Sequence, residues 1–200
     1  MEGKLGRREQ KKIQSRQAIM KAAVEEFGQK GYREASIADI MRRAGFGIGT
    51  FYNYFQTKEE ILFGLLVQLV DDVNREIETM RADHCSARDM LAKGCEVTAV
   101  FLDGNRFVLP LFLSASDHSG RPEMPHDTNR PAPRVKTVFT AIIREGQENG
   151  EIRRDVPADL IAEMFHSLYQ AAAFSRLNLS FQENVALKTK LLLDGIRPQS

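Results

Sequence analysis

Cysteine is scarce in this 200-residue sequence: Cys85 and Cys95 are the only two, and their spacing fits neither a metal-binding nor a redox motif. Two cysteines make no disulfide framework, and reduced thiols suit a cytoplasmic protein, the location expected here. Long apolar runs are missing too. The longest, Phe107–Leu113, falls far short of the ~18 residues that suggest a membrane span. The opening residues, Met-Glu-Gly-Lys-Leu-Gly-Arg-Arg, have no apolar core of the kind a signal peptide carries. There is no internal repeat and no low-complexity tract. No Gly-rich phosphate loop, nucleophile elbow or pair of metal-binding carboxylates appears, so an enzyme is not expected. No two histidines share ligand spacing on a helix, so neither a metal nor another cofactor is expected. Nor does charge of one sign dominate, with 28 Lys+Arg against 27 Asp+Glu.

What is present is enough for one or two soluble helical domains: 42% hydrophobic and 28% charged residues. The charge is unevenly placed. Residues 1–60 carry 12 basic and 8 acidic side chains, whereas residues 61–200 carry 16 and 19. Up to Lys21 there are seven basic residues against Glu2 and Glu9 alone. A basic N-terminal end on a nearly neutral chain points to a local polyanion contact.

The periodicity is helical nearly throughout, and no segment shows sustained two-residue alternation. A first helix is expected over about Lys11–Phe27, with Ile13, Met20, Ala23, Val24 and Phe27 on one face and Gly28 and Gly31 ending it. Ser36 caps a short second helix whose Ile37, Ile40, Met41 and Ala44 follow at helical spacing, and Gly45 stops it. A third fits about Gly47–Phe55. Thr57-Lys58-Glu59-Glu60 then has the spacing of a capping box, Glu60 reaching back to the cap residue's amide, and opens a long helix to about Met80. Further helices are expected at about Ala87–Leu102, at Asn105–Ala115 with a kink or break at Pro110, and at Val135–Asn149. The last two fall at Pro157–Asn178, with Pro157 first, and Gln182–Asp194. Ser116–Pro133, which holds four of the seven prolines with His118 and His126, reads as a loop.

The informative stretch is Ser36–Phe55, two short helices joined through Ala44-Gly45-Phe46. That is the layout of a helix-turn-helix, in which the first helix braces and the second enters the major groove of DNA. On the second helix Phe51 and Phe55 point to the core, which leaves Asn53 and Gly49 outward. Asn suits bidentate pairing with adenine, and glycine allows close approach. Thr50, Tyr52 and Tyr54 fall on the flanks, where hydroxyls meet phosphate oxygens. Lys58, in the first turn of the next helix, and Ser36, at the start of the bracing helix, are candidates to hold further phosphates. Arg42 and Arg43 read either as a solvated helix face or as part of the same basic surface as Arg7, Arg8, Lys11 and Lys12.

Residues from about Arg16 to Leu66 resemble the DNA-binding domain of TetR-family transcriptional regulators. The matching pieces are Ile19 with Ala22-Ala23, Phe27-Gly28-Gln29-Lys30-Gly31-Tyr32, Ser36-Ile37-Ala38-Asp39-Ile40 and Ala44-Gly45. The sharpest is Gly49-Thr50-Phe51-Tyr52-Asn53-Tyr54-Phe55, followed by Lys58-Glu59-Glu60-Ile61-Leu62. The resemblance implies an all-α fold of about nine helices: a basic flexible arm over 1–10, a helix-turn-helix domain over 11–70 and a helical effector-binding and dimerisation domain over 71–200. It implies a homodimer that places two recognition helices in successive grooves of a palindromic operator. It also implies phosphate contacts from Thr50, Tyr52, Tyr54 and Lys58, with Gly47, Ile48, Gly49 and Asn53 nearest the bases. One departure stands out, Phe46-Gly47-Ile48-Gly49, where the family often has a small hydrophobic residue, then Ser and a polar residue before the glycine. Ile48 either meets a thymine methyl or packs back toward Phe51 and Phe55.

The remainder is read more coarsely. Leu160, Ile161, Met164, Phe165, Leu168 and Ala172, with Leu191 and Leu192, make apolar stripes fit for a four-helix dimer seam or for an internal core. Phe101, Phe107, Phe112, Phe139 and Met164 either line an effector pocket or pack as core. The function that follows is a homodimeric, sequence-specific DNA-binding repressor released by a small-molecule effector. The alternative is a DNA-binding or architectural protein without an effector, its C-terminal body serving protein partners.

Overall fold

The structure, a computed structural model, describes residues 6–114 and 134–198. Among these residues there are eight α-helices, two 3-10 segments and no strand. The expected 116–133 loop lies outside them. The chain divides into two compact units, with the boundary between Leu65 and Leu66.

The first unit begins with α1 (Arg7–Lys30), four residues ahead of the expected start. Residues 7–10 of the expected flexible arm are therefore helical; Arg, Glu and Gln are good helix formers, and the extended Gly6 precedes them. Ile13 is exposed, so the inward face starts only at Ile19. In α2 (Ile37–Ala44) the Ser36 side chain accepts from the Asp39 amide at 3.1 Å. The other end closes as a Schellman motif. Gly45, at φ 76°, donates its amide to the Arg42 carbonyl, and the Phe46 amide reaches the Met41 carbonyl at 2.9 Å. A 3-10 segment, Ile48–Asn53, replaces the expected α-helix of Gly47–Phe55. Two glycines in three residues lower helix propensity, and the tighter coil is what remains. Ile19, Ala23, Phe27, Ile40, Met41, Phe51, Phe55 and Ile61 are fully buried in this unit. The chain then enters α3 (Lys58–Ala82).

The second unit holds α4 (Ala87–Gly104), α5 (Leu109–Ser114), α6 (Val135–Glu148), α7 (Ala158–Ala173) and α8 (Phe181–Gly195). Its core gathers Leu69, Val73 and Ile77 of α3 with Leu91 and Cys95, Phe112, Phe139 and Ile143, Phe165 and Tyr169, and Val185. Two glycines let α4 and α6 approach closely: a Cβ at Gly94 would lie 2.6 Å from the Phe139 ring, and one at Gly146 2.7 Å from Ala87 Cβ. Phe139 meets Phe165 edge-on at 5.7 Å, joining α6 to α7.

Three local expectations need correction. The break expected at Pro110 falls just before it, between a 3-10 turn, Arg106–Val108, and α5, in which Pro110 sits second, where no amide donor is needed. Pro157 is the cap of α7 rather than its first residue. Helix α7 stops at Ala173 and not at Asn178, because Ser180 must be extended (ψ 160°) to form the capping box with Glu183 that opens α8.

A candidate nucleic-acid interface

The 3-10 segment sorts its side chains by burial. Phe51 and Phe55 are sealed in the core with ring centroids 5.8 Å apart, and Tyr52 meets Phe51 edge-on at 5.4 Å. Ile48 (56% exposed), Tyr52 (54%), Gly47, Gly49 and Asn53 face solvent, with Thr50 and Tyr54 half-buried at the flanks. Ile48 therefore does not pack back on the two phenylalanines. The outward face presents an amide, hydroxyls, an isoleucine and two glycines, with no acidic side chain.

Two expected contacts are otherwise engaged. Lys58 Nζ donates to the carbonyls of Tyr32 (2.9 Å), Arg33 (3.3 Å) and Ala35 (2.8 Å) and sits 4.9 Å from the Tyr32 ring centroid. It ties the α1–α2 loop to the start of α3 rather than standing free for a phosphate. The Tyr32 hydroxyl donates to Glu59 Oε1 at 2.7 Å and strengthens the same tie. The exposed Ser36 spends its hydroxyl on the cap, accepting from the Asp39 amide and donating to Asp39 Oδ2 at 2.9 Å. Glu60 also departs from expectation: it accepts from the amide of Gln56, not of Thr57, at 2.8 Å.

Arg43 is exposed, but its guanidinium is taken up by α1. It donates to the buried Glu26 at 2.6 Å, to Glu25 at 3.1 Å and to Gln29 at 2.8 Å, clamping α2 onto α1. Lys30 bridges Glu26 (2.9 Å) and Asp39 (3.0 Å), and Arg42 pairs with Asp39. Hydrogen bonds from Lys30 and then Arg43 hold Glu26 below the usual carboxylate range; those from Lys30 and then Ser36 pull Asp39 down to about 2. A carboxylate with a depressed folded pKa stabilises the fold above its unfolded value, about 4, and loses that contribution as pH falls through the folded value. The clamp should therefore fail between about pH 4 and pH 2. Hydrogen exchange of α2 amides, read at pH 5 and pH 2.5, should show loss of protection at the lower pH only.

The second unit separates the apolar residues of the body. Ile161, Phe165, Leu168 and Ala172 are buried within the subunit, while Leu160, Met164 and Leu191 point outward and Leu192 is half-buried. The wide apolar stripe of α7 is two faces, one inward and one outward. Of the expected pocket residues, Phe112 and Phe139 are core, and Phe101 packs against that core. Phe107 is half-buried. Only Met164 lines the open groove of about 500 Å³ between α7 and α8, which Val156, Ile161, Leu168, Leu191 and Leu192 complete with Arg153 and Lys188. Deeper in this unit His166 stacks on Phe112 at 4.7 Å, and Tyr169 meets Phe112 edge-on at 5.2 Å. Burial, with Lys136 adding to it, brings His166 down to about 4, so its imidazole is neutral near pH 7. His166 Nε2 is buried without a hydrogen-bond partner, while the buried Tyr169 hydroxyl lies against Thr98 and Cys95. Neither stood out in sequence, since one His and one Tyr on an apolar helix carry no motif. Among the described residues no group of His, Cys, Asp or Glu could hold a metal ion, and no helix is long and apolar enough to cross a membrane.

Comparison with known proteins gives the following. Residues 19–65 match the family model described as bacterial regulatory proteins, tetR family. An uncharacterized HTH-type transcriptional regulator of Bacillus subtilis, YdgC, is 32% identical over 204 residues, spanning 94% of this chain and 96% of its own. The fatty acid metabolism regulator protein of the same organism is 26% identical, over 89% of this chain and 93% of its own. Among solved structures, Thermus thermophilus FadR, a transcriptional repressor in complex with lauroyl-CoA, superposes with a TM-score of 0.64 at 22% identity, over 92% of this chain and 96% of that one.

Proposed function

Because this chain belongs to the TetR family of bacterial regulatory proteins, we propose that it is a homodimeric transcriptional repressor that leaves a palindromic operator when a small molecule binds its second unit. The observation that carries the DNA-binding half is the outward face of residues 47–54, free of acid and fixed on Phe51 and Phe55. Asn53 reads a base edge, Ile48 meets a thymine methyl, and Gly47 and Gly49 allow the backbone to approach the groove. Thr50, Tyr52 and Tyr54 hold phosphate oxygens on either side. Lys58 and Ser36 act indirectly, by fixing the frame that presents this face.

The effector half rests on the interior of the second unit. An aromatic wall with a buried, unpartnered imidazole nitrogen complements a mostly apolar molecule with one polar group. The names of the fatty acid regulator and of the lauroyl-CoA complex make long-chain acyl-CoA thioesters the first effector probes. Effector binding shifts the population toward a spacing of the two heads that no longer fits successive grooves, with α3 carrying the change.

Selecting bound fragments from a random duplex pool tests the reading. It expects an inverted repeat with half-sites one or more helical turns apart, and recovery of unrelated sequences would contradict it.

A further inference from the structure

The stretch leading into the 3-10 segment, Gly45–Gly49, reads Gly-Phe-Gly-Ile-Gly and holds no side chain that donates or accepts a hydrogen bond. Phe46 is half-buried, so Ile48, 56% exposed, is the one side chain this stretch presents fully to solvent. The glycines on either side of it are not required by the fold. Gly47 has an ordinary extended backbone (φ −69°, ψ 147°), and neither it nor Gly49 takes a positive φ. A Cβ built at either position would meet nothing within 4 Å. Their bareness matters outward only, where it leaves the isoleucine standing clear of its neighbours. The backbone beneath it is fixed: the Thr50 amide donates to the Gly47 carbonyl at 2.9 Å, and the buried Phe51 anchors the turn from inside.

Every base pair shows hydrogen-bonding groups in the major groove, but only one apolar group is displayed there, the methyl on C5 of thymine. A cytosine methylated at C5 carries the same group in the same place. We infer that Ile48 reads a pyrimidine C5-methyl rather than a particular base, accepting thymine or 5-methylcytosine at one position of each half-site and disfavouring uracil or cytosine there. This rests on the DNA-binding reading of the preceding section and goes beyond it, because methylation of a cytosine at that position then creates a site that the unmethylated duplex lacks. An isoleucine has no hydrogen bond to offer, so its whole contribution is the removal of that methyl from water. Each methyl is then worth roughly fourfold in affinity, the equivalent of ~0.8 kcal/mol.

Methyl substitution in the DNA tests this. The operator recovered by selection is remade with each thymine replaced singly by uracil, which deletes the methyl and keeps the pairing groups. At the sensitive position 5-methylcytosine and cytosine, each paired with guanine, are then compared. All duplexes are titrated by anisotropy against the full-length chain and its Ile48→Val and Ile48→Ala variants. Ile48 lies outside the core, so the variants keep the fold, as circular dichroism will verify. The wild type should bind the uracil duplex about fourfold more weakly at one thymine per half-site, and cytosine about fourfold more weakly than 5-methylcytosine. Ile48→Val, still apolar, should keep both preferences, and Ile48→Ala should lose both. A wild-type ratio of one in either comparison, or ratios that persist in Ile48→Ala, would overturn the methyl reading while operator binding stands. Recovery of unrelated sequences in the selection itself would overturn both.

Discussion

Replacing Phe51 with alanine should destabilise the first unit by about 3–5 kcal/mol and remove operator binding with it. The ring is fully buried and packs on both Tyr52 and Phe55, so its loss leaves a cavity under the very segment that faces DNA. A loss of that size is a large share of the 5–15 kcal/mol that typically separates folded from unfolded domains. Urea unfolding followed at 222 nm measures the first effect, and anisotropy with a labelled operator the second. Retention of wild-type affinity by the alanine variant would mean that residues 48–53 do not depend on this anchor for their shape.

Lys58→Ala is the second large effect, and its sign departs from what the resemblance implies. A lysine that only held a phosphate would, when removed, weaken all duplexes and flatten the salt dependence by about one unit. In this fold Lys58 Nζ is shared among three carbonyls of residues 32–35. Its removal leaves those acceptors without their charged donor, a loss of about 2–3 kcal/mol. The variant should melt earlier and exchange faster at residues 32–36, while the slope of log affinity against log salt stays as in the wild type. A slope reduced by one at unchanged stability would return Lys58 to the phosphate-contacting set.

These two residues also show what the sequence could and could not disclose. Phe51 was legible as an inward residue: its spacing to Phe55 specifies a buried pair, although the segment is a 3-10 turn and not the expected α-helix. The ends of α2 were legible for the same reason, since Ser36 and Gly45 act on backbone groups within a few residues. Lys58 was not, because its acceptors lie 23 to 26 residues upstream and only folding brings them near. Arg43 was hidden in the same way, with its carboxylates 17 and 18 residues away on α1. In α7 the pattern marked Leu160, Ile161, Met164, Phe165, Leu168 and Ala172 but could not divide them, because helical spacing is indifferent to whether a face meets its own core or another copy. Accessibility divides them, Phe165 inward and Met164 (49% exposed) outward. The same ambiguity left Phe112 and Phe139 open between pocket and core, and they are core.

Whether the exposed amide of Asn53 distinguishes one base pair from another decides the account most directly. Binding of Asn53→Ala should be titrated against the selected operator and against a scrambled duplex of equal length at one salt concentration. Weakening by about 1–3 kcal/mol on the operator, with the scrambled duplex unaffected, is the predicted result. Equal weakening on both duplexes would place Asn53 on the phosphate backbone and contradict it.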